Sequence, residues 1–294
     1  MKIAYYPGCT LKHTAQNLEQ PALAALKTLG VEVEELPRWN CCGAVASLSQ
    51  DDLLRQVAPV RNLIRALERG ADKLLTLCAP CYNTLARANQ LVREDAEKRK
   101  TLNTFMEEEP DYQGEVKVVH LLDYLRDEVG FDKLGQKVVK PLTGMKIAPY
   151  YGCTLLRPKA VAIEERPTLL HRFIEAIGAT PVDFPAMTEC CGSYQILGNE
   201  KAALEASASI LSAASARGAD AIVSSCPLCD YNLGARQADI KALRPSLEDT
   251  PTYYFTQLMA LALGLPAATC RFDLSPPVCR ALLEQQSFVK QASQ

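Results

Sequence analysis

The chain has 294 residues, 48% of them hydrophobic and 22% charged, with 32 basic side chains against 34 acidic ones and a formal net charge of −2. This length and apolar content suit two domains of ordinary size or one large one, and the near-neutral charge argues against a nucleic-acid partner. With no run of eighteen uncharged apolar residues and a start on the strand-like Lys2-Ile3-Ala4-Tyr5-Tyr6, no membrane span or secretory signal is expected. The expected location is the cytoplasm, where twelve cysteines are available as ligands rather than locked in disulfides.

Taken in chain order, the hydrophobic periods predict a strand at 2–6, a helix at 15–29, a strand at 31–36, a helix at 50–69, a strand at 73–77 and a helix at 81–99. The segment 99–114 is acidic and polar and reads as surface. A strand at 116–119 then leads into a helix near 120–129, and 133–143 reads as a surface link. The plan repeats with a strand at 146–150, a helix at 166–177, a strand at 180–184, a helix at 199–217, a strand at 220–224 and a helix from about 228. Tyr253-Tyr254-Phe255 precedes an apolar helix ending at Leu263. Such alternation builds parallel sheets covered by helices. The expected fold is therefore α/β, with two pseudo-symmetric halves, 1–143 and 144–294. Each would be a small parallel sheet flanked by helices, with metal sites at the strand carboxyl ends.

The halves repeat in detail. Met1-Lys2-Ile3-Ala4 aligns with Met145-Lys146-Ile147-Ala148, which brings Gly8-Cys9-Thr10-Leu11 onto Gly152-Cys153-Thr154-Leu155 without a gap. Ten of the twelve cysteines follow one duplicated pattern: Cys9, Cys41-Cys42-Gly43, Cys78 and Cys81, then Cys153, Cys190-Cys191-Gly192, Cys226 and Cys229. Cys9, Cys78, Cys153 and Cys226 come just after predicted strands, and Cys41 and Cys190 lie in loops after others. All ten can gather at the carboxyl edges of two sheets, where open α/β sheets bind ligands and helix N-termini favour anions.

Five thiolates per half discriminate between metals. A structural zinc takes four ligands, which leaves one thiol idle in each half, and adjacent cysteines are awkward partners on one tetrahedral ion. An iron–sulfur cluster offers several irons, so neighbouring sulfurs can bind different ones. Compact ferredoxin spacing is absent, and a vicinal disulfide would be strained.

The spacings Cys-x31-Cys-Cys-Gly-x34-Cys-x2-Cys and Cys-x36-Cys-Cys-Gly-x33-Cys-x2-Cys resemble the cysteine-rich CCG domain family. Within it, the chain resembles the B-type subunits of heterodisulfide reductases. The resemblance is carried by Trp39-Asn40-Cys41-Cys42-Gly43, by Tyr151-Gly152-Cys153-Thr154-Leu155-Leu156-Arg157-Pro158, and by Tyr254-Phe255-Thr256-Gln257-Leu258 ahead of Leu261-Ala262-Leu263-Gly264. It implies two non-cubane [4Fe-4S] clusters. One would be held by Cys9, Cys41, Cys42, Cys78 and Cys81, the other by Cys153, Cys190, Cys191, Cys226 and Cys229. It also implies that these cysteines act catalytically through their clusters, on a disulfide substrate cleaved in a cavity between the halves. The implied partners are a C-like heterodisulfide reductase protein with cubane [4Fe-4S] clusters and an A-like flavoprotein suited to electron bifurcation. Two other readings stay open: a CCG-type electron-transfer module without a disulfide substrate, and a zinc-stabilised interaction protein.

Other residues carry weaker signals. Gly8, Gly43, Gly152 and Gly192 adjoin the cysteines, where a missing Cβ permits positive φ or close approach. Pro80 and Pro227 suit the first turn of a helix. Lys12, His13, Arg38, Arg157 and Lys159 lie near the cysteine loops and read first as solvated charge, with binding of an anionic substrate or proton donation as the alternative. Trp39 reads equally as a shield of a cluster from water and as a packing residue. His120 and His171 read as structural and Cys270 and Cys279 as free thiols, with the tail from Pro266 a possible partner surface.

Overall fold

The computed structural model describes residues 1–44 and 52–289. In the first half β1 (Lys2–Tyr5), α1 (Gln16–Thr28), β2 (Glu32–Glu35), α2 (Leu54–Glu68), β3 (Lys73–Thr76), α3 (Ala79–Glu94), α4 (Ala96–Phe105), β4 (Lys117–His120), α5 (Leu121–Tyr124) and α6 (Phe131–Lys137) follow one another. In the second half come β5 (Lys146–Pro149), α7 (Leu169–Ala176), β6 (Thr180–Pro181), α8 (Glu200–Ser215), β7 (Ala221–Ser224), α9 (Pro227–Asp230), α10 (Gln237–Leu243), β8 (Thr252–Tyr254), α11 (Phe255–Ala262) and α12 (Pro277–Gln285). The strands form two four-stranded sheets of order β2-β1-β3-β4 and β6-β5-β7-β8, with every pairing parallel. Because the inner strands are covered on both faces, their central residues are apolar. All four residues of β7 are buried.

The α/β expectation holds in both halves, and the differences have local causes. The helix expected over 81–99 is broken at Asp95, whose backbone turns out of helix (φ −116°, ψ 97°) while its carboxylate caps Lys98 N at 3.0 Å. The segment 99–114 is largely exposed, as expected, but is tied down by three buried side chains. Leu102 and Met106 are buried on α4 and just after it, and the buried Tyr112 donates its hydroxyl to Asn89 Oδ1 at 2.7 Å. The 133–143 link is likewise anchored, by α6 and by the buried Leu134 and Leu142. The strand expected at 180–184 shortens to the edge strand β6, whose ladder ends with Val182 N donating to Ile147 O at 2.9 Å; Pro181 lies where its missing N–H faces away from β5. The helix from 228 divides into α9, a π turn at Tyr231–Ala235, and α10. Residues 50 and 51 of the helix expected at 50–69 lie outside the described residues; the described part is α2.

The halves are packed on each other. All eight residues of α11 are buried, as befits a helix that is apolar all round, and Thr256 Oγ1 donates to Leu18 O of α1 at 2.8 Å. Asn83 donates to Thr154 O at 2.8 Å and to Arg157 O at 2.6 Å, and Tyr82 donates to Val161 O at 3.0 Å. An aromatic line runs from Tyr82 to His120 (5.9 Å between ring centres), Phe255 (6.2 Å) and Phe173 (5.5 Å), from the first half into the second. The tail as far as Val289 packs on its own chain, with Cys279 and Leu283 of α12 buried. No helix among the described residues is long and apolar enough to cross a membrane.

Candidate metal centre

Each cysteine is delivered by a sheet edge. Cys78 and Cys226 occupy the N-caps of α3 and α9, directly after β3 and β7, with extended backbone there. Pro80 and Pro227 occupy the first turns of those helices, where a missing N–H costs nothing. This places Cys81 and Cys229 on the first helical turn, pointing back to the same edge. Cys9 and Cys153 lie four residues beyond β1 and β5, each after a glycine at positive φ, 75° at Gly8 and 63° at Gly152. A Cβ on Gly8 would stand 3.0 Å from Cys81 Sγ, so only glycine lets this loop close on the site.

The sulfurs meet in equivalent pairs. Cys9 and Cys41 are 3.7 Å apart and Cys42 and Cys81 3.4 Å; in the second half Cys153 and Cys190 are 3.8 Å apart and Cys191 and Cys229 3.6 Å. All are far longer than a disulfide bond of about 2.05 Å, and all twelve cysteines are free. Cys78 joins the first set electrostatically through Cys81 and Cys42, and Cys226 the second through Cys229 and Cys153. The two sets adjoin where Ala79 N, beside Cys78, donates to Ser225 O, beside Cys226, at 3.3 Å, and the Cys226 thiolate helps to push Cys78 up.

Two residues that the sequence pattern does not single out organise these loops. Tyr6 donates its hydroxyl to Asn40 O at 2.9 Å, and Tyr150 donates to Glu189 O at 2.8 Å. Each bond holds the peptide immediately before an adjacent cysteine pair. Both phenols are held far above their ordinary pKa, first by burial and then by the surrounding thiolates, so they remain donors. The gapless alignment of Met1 with Met145 also superimposes Tyr6 on Tyr150, a signal present in the sequence.

Crowding governs the thiols. Cys42 is pushed down to about 3, chiefly by hydrogen bonds from Cys41 and then Cys81, whereas Cys41 is pushed well up, chiefly by its bond to Cys42. Cys190 is pushed down to about 6, first by Cys153, with smaller help from the Gly192 amide and the Arg157 charge. Cys81 and Cys229 rise far above the ordinary range through contact with neighbouring sulfurs and burial. Five thiolates therefore ionise together only around a strong positive charge. A polynuclear iron–sulfur centre fits this donor set, since several irons supply both the charge and separate positions for neighbouring sulfurs.

The remaining candidates are placed as follows. Lys12 is pinned between Glu19 at 2.8 Å and Glu35 at 2.6 Å, and Arg38 pairs with Glu68 at 3.2 Å in solvent. Trp39 packs edge-on against Tyr6 at 6.1 Å and donates to Glu35 at 3.4 Å. His13 and Lys159 are exposed. His120 is fully buried between Leu77 O at 3.0 Å and Leu122 N at 3.2 Å, and His171 joins Tyr151 and Asp183. Cys270 and Cys279 are buried thiols pushed up to about 12 by burial, and they lie outside both cysteine sets. A cavity of about 770 Å³ opens near the tail, beside Lys140, Leu261, Arg271 and Phe288, and none of the ten cysteines lines it.

Comparison with known proteins converges on the same residues. The cysteine-rich CCG domain matches at 3–86 and again at 147–234. The membrane anchor of the 8-methylmenaquinol:fumarate reductase of Wolinella succinogenes is 34% identical over 270 residues, 90% of this chain and 93% of that protein. The B-type subunit of the ferredoxin/F420H2-dependent CoB-CoM heterodisulfide reductase of Methanosarcina acetivorans is 29% identical over 90% of this chain and 89% of its own length. Among solved structures, a hypothetical protein from Helicobacter pylori aligns with a TM-score of 0.75 at 15% identity over 93% of this chain. This chain spans about half of that protein (51%), so the likeness is one of fold.

Proposed function

The chain belongs to the cysteine-rich CCG domain family, which it carries in two copies, and from that premise we propose that it is the disulfide-reducing subunit of a heterodisulfide-reductase-type complex. The observation that carries this reading is the presence of two complete five-cysteine sets, joined next to Cys78 and Cys226 by the bond from Ala79 N to Ser225 O. A single electron-transfer centre needs only one such set. Two sets side by side suit a reaction that takes two electrons at one bond.

In this reading Cys9, Cys41, Cys42, Cys78 and Cys81 hold one non-cubane [4Fe-4S] cluster, and Cys153, Cys190, Cys191, Cys226 and Cys229 hold a second. When bound, the clusters supply one-electron chemistry and iron sites for sulfur. The balanced reaction is R–S–S–R′ + 2e⁻ + 2H⁺ → RSH + R′SH. The chain's own residues position the ligands. Tyr6 and Tyr150 fix the peptides before the cysteine pairs, Gly8 and Gly152 let the loops approach, and the buried aromatic line from Tyr82 to Phe173 keeps the halves in register. The chain has no Gly-x-Gly-x-x-Gly fingerprint. Electrons therefore come from partners, a C-like protein with cubane clusters and an A-like flavoprotein, with the cytoplasm as the working compartment.

The test is single-protein turnover. Anaerobically purified chain, supplied with dithionite-reduced viologen and a panel of small mixed disulfides, should release two thiols for every two electrons consumed, and Cys226→Ser should abolish the release. A second reading is favoured by the 34% identity to the fumarate reductase anchor: an electron-transfer module with no disulfide substrate. Iron–sulfur centres that accept electrons without any thiol release would establish that reading in place of the first.

A further inference from the structure

The repeat superimposes Thr154 on Thr10, the residue after the lone cysteine of each set, yet the two carbonyls are satisfied in different ways. Thr10 O accepts from its own loop, from His13 N at 3.2 Å and Ala15 N at 2.9 Å, and α1 begins directly afterwards at Gln16. The first loop closes on its own helix. In the second half α7 begins only at Leu169, and the amides of Leu156 and Arg157 both turn to Cys153 O, at 3.2 and 3.0 Å. Among the described residues no backbone N–H is bonded to Thr154 O.

Its donor comes from the other half. Asn83 stands on the regular helix α3, on the turn after Cys81, and is 8% exposed. Its amide nitrogen carries two hydrogens, and these match two carbonyls of the Cys153 loop, Thr154 O at 2.8 Å and Arg157 O at 2.6 Å. Both partners are acceptors, which fixes the nitrogen rather than the oxygen of the amide toward them. Two more first-half donors continue the hold along the same loop: Tyr82 Oη to Val161 O at 3.0 Å and Arg126 Nη1 to Ile163 O at 2.9 Å.

The hold is not returned. At the position of Asn83 the second half has Tyr231, which is 44% exposed and whose hydroxyl accepts from Arg236 of its own half at 3.1 Å. The hydrogen bonds of residues 9–14 stay within the first half.

Groups behind a ligand fix where its donor atom stands, and a buried carbonyl that loses its donor favours an opened loop in which water replaces it. Resting on the reading of Cys153 as a cluster ligand, we infer that Asn83, a residue of the first half, is a positioning residue of the second cysteine set. By closing the loop that follows Cys153 it sets the place of that sulfur. The first set is completed within its own half; the second is completed only across the contact between the halves.

The test uses the full-length chain, purified anaerobically, with iron and sulfide measured on every sample. Asn83→Leu keeps the outline of the side chain and removes both donors. Followed by hydrogen exchange, the peptide 153–163 should exchange about tenfold faster in this variant, as expected for one to two lost hydrogen bonds, while the peptide 9–15 keeps its wild-type rate. Iron should pass to a chelator about tenfold faster from the second centre, with the electron paramagnetic resonance signal of that centre altered and that of the first retained. The two signals are assigned with Cys9→Ser and Cys153→Ser. Tyr82→Phe, which keeps the ring and loses one bond, should move the same readouts in the same direction by less, and serves if the leucine variant folds poorly. Unchanged exchange at 153–163, or equal acceleration at 9–15, overturns the assignment to Asn83. Wild-type chain devoid of iron and sulfide overturns the cluster reading instead, and the exchange rates still decide whether Asn83 holds the loop.

Discussion

Tyr6 and Tyr150 show how much of the site depends on single groups that are not ligands. Each phenol donates across the sheet edge to the carbonyl before a cysteine pair, so its loss leaves the ten sulfurs in the sequence but frees the peptide that aims two of them. Tyr6→Phe removes one such bond, worth about 1 kcal/mol. It should make the first site lose iron to a chelator faster while the second keeps its normal rate, and Tyr150→Phe should reverse that order. Metal release followed over time, with the residual spectrum assigned to one half, checks this. Equal loss from both halves would mean that the tyrosines act on overall stability. These tyrosines were legible in the repeat alignment, which superimposes them, but periodicity treats a buried aromatic after a strand as core. The hydroxyl's partner is 34 residues away for Tyr6 and 39 for Tyr150, a separation that no local pattern encodes.

At the scale of elements, β4 and α5 meet at His120, whose ring bridges two backbone groups. Nε2–H donates to Leu77 O, next to Cys78, and Nδ1 accepts from Leu122 N. Complete burial pushes His120 down from its ordinary 6.5 to about 4. The unfolded chain binds a proton here at a higher pH than the folded one. The stabilisation is therefore full above pH 6.5 and is lost as pH falls through 4, a difference of about 3 kcal/mol by linkage. His120→Gln keeps a neutral donor but does not titrate. The advantage of wild type over this variant, read from hydrogen exchange of the slowest amides, should shrink from pH 6.5 to pH 4; a constant gap would contradict it. The strands and the long helices α1, α3 and α8 were readable from period alone, because each buries one face or both. The break at Asp95 and the π turn at Tyr231–Ala235 were not. A cap inside a polar run and a one-residue widening of a helix leave the hydrophobic pattern nearly unchanged.

For the whole molecule, duplication accounts for both the fold and the placement of the site. Two parallel sheets of the same order present their carboxyl edges with five cysteines each, and α1 and α11 lock the halves together through contacts such as Thr256 to Leu18. The cysteine spacing displayed the duplication directly. The junction at Cys78 and Cys226 depended on inter-half hydrogen bonds from Asn83, Tyr82 and Ala79, which one half's sequence does not reveal. The central claim is that these ten sulfurs surround two polynuclear centres. Iron and acid-labile sulfide, determined on anaerobically purified full-length chain, test it most directly. Two [4Fe-4S] centres require about eight of each per chain, whereas one or two metal ions per chain with no sulfide would contradict the account.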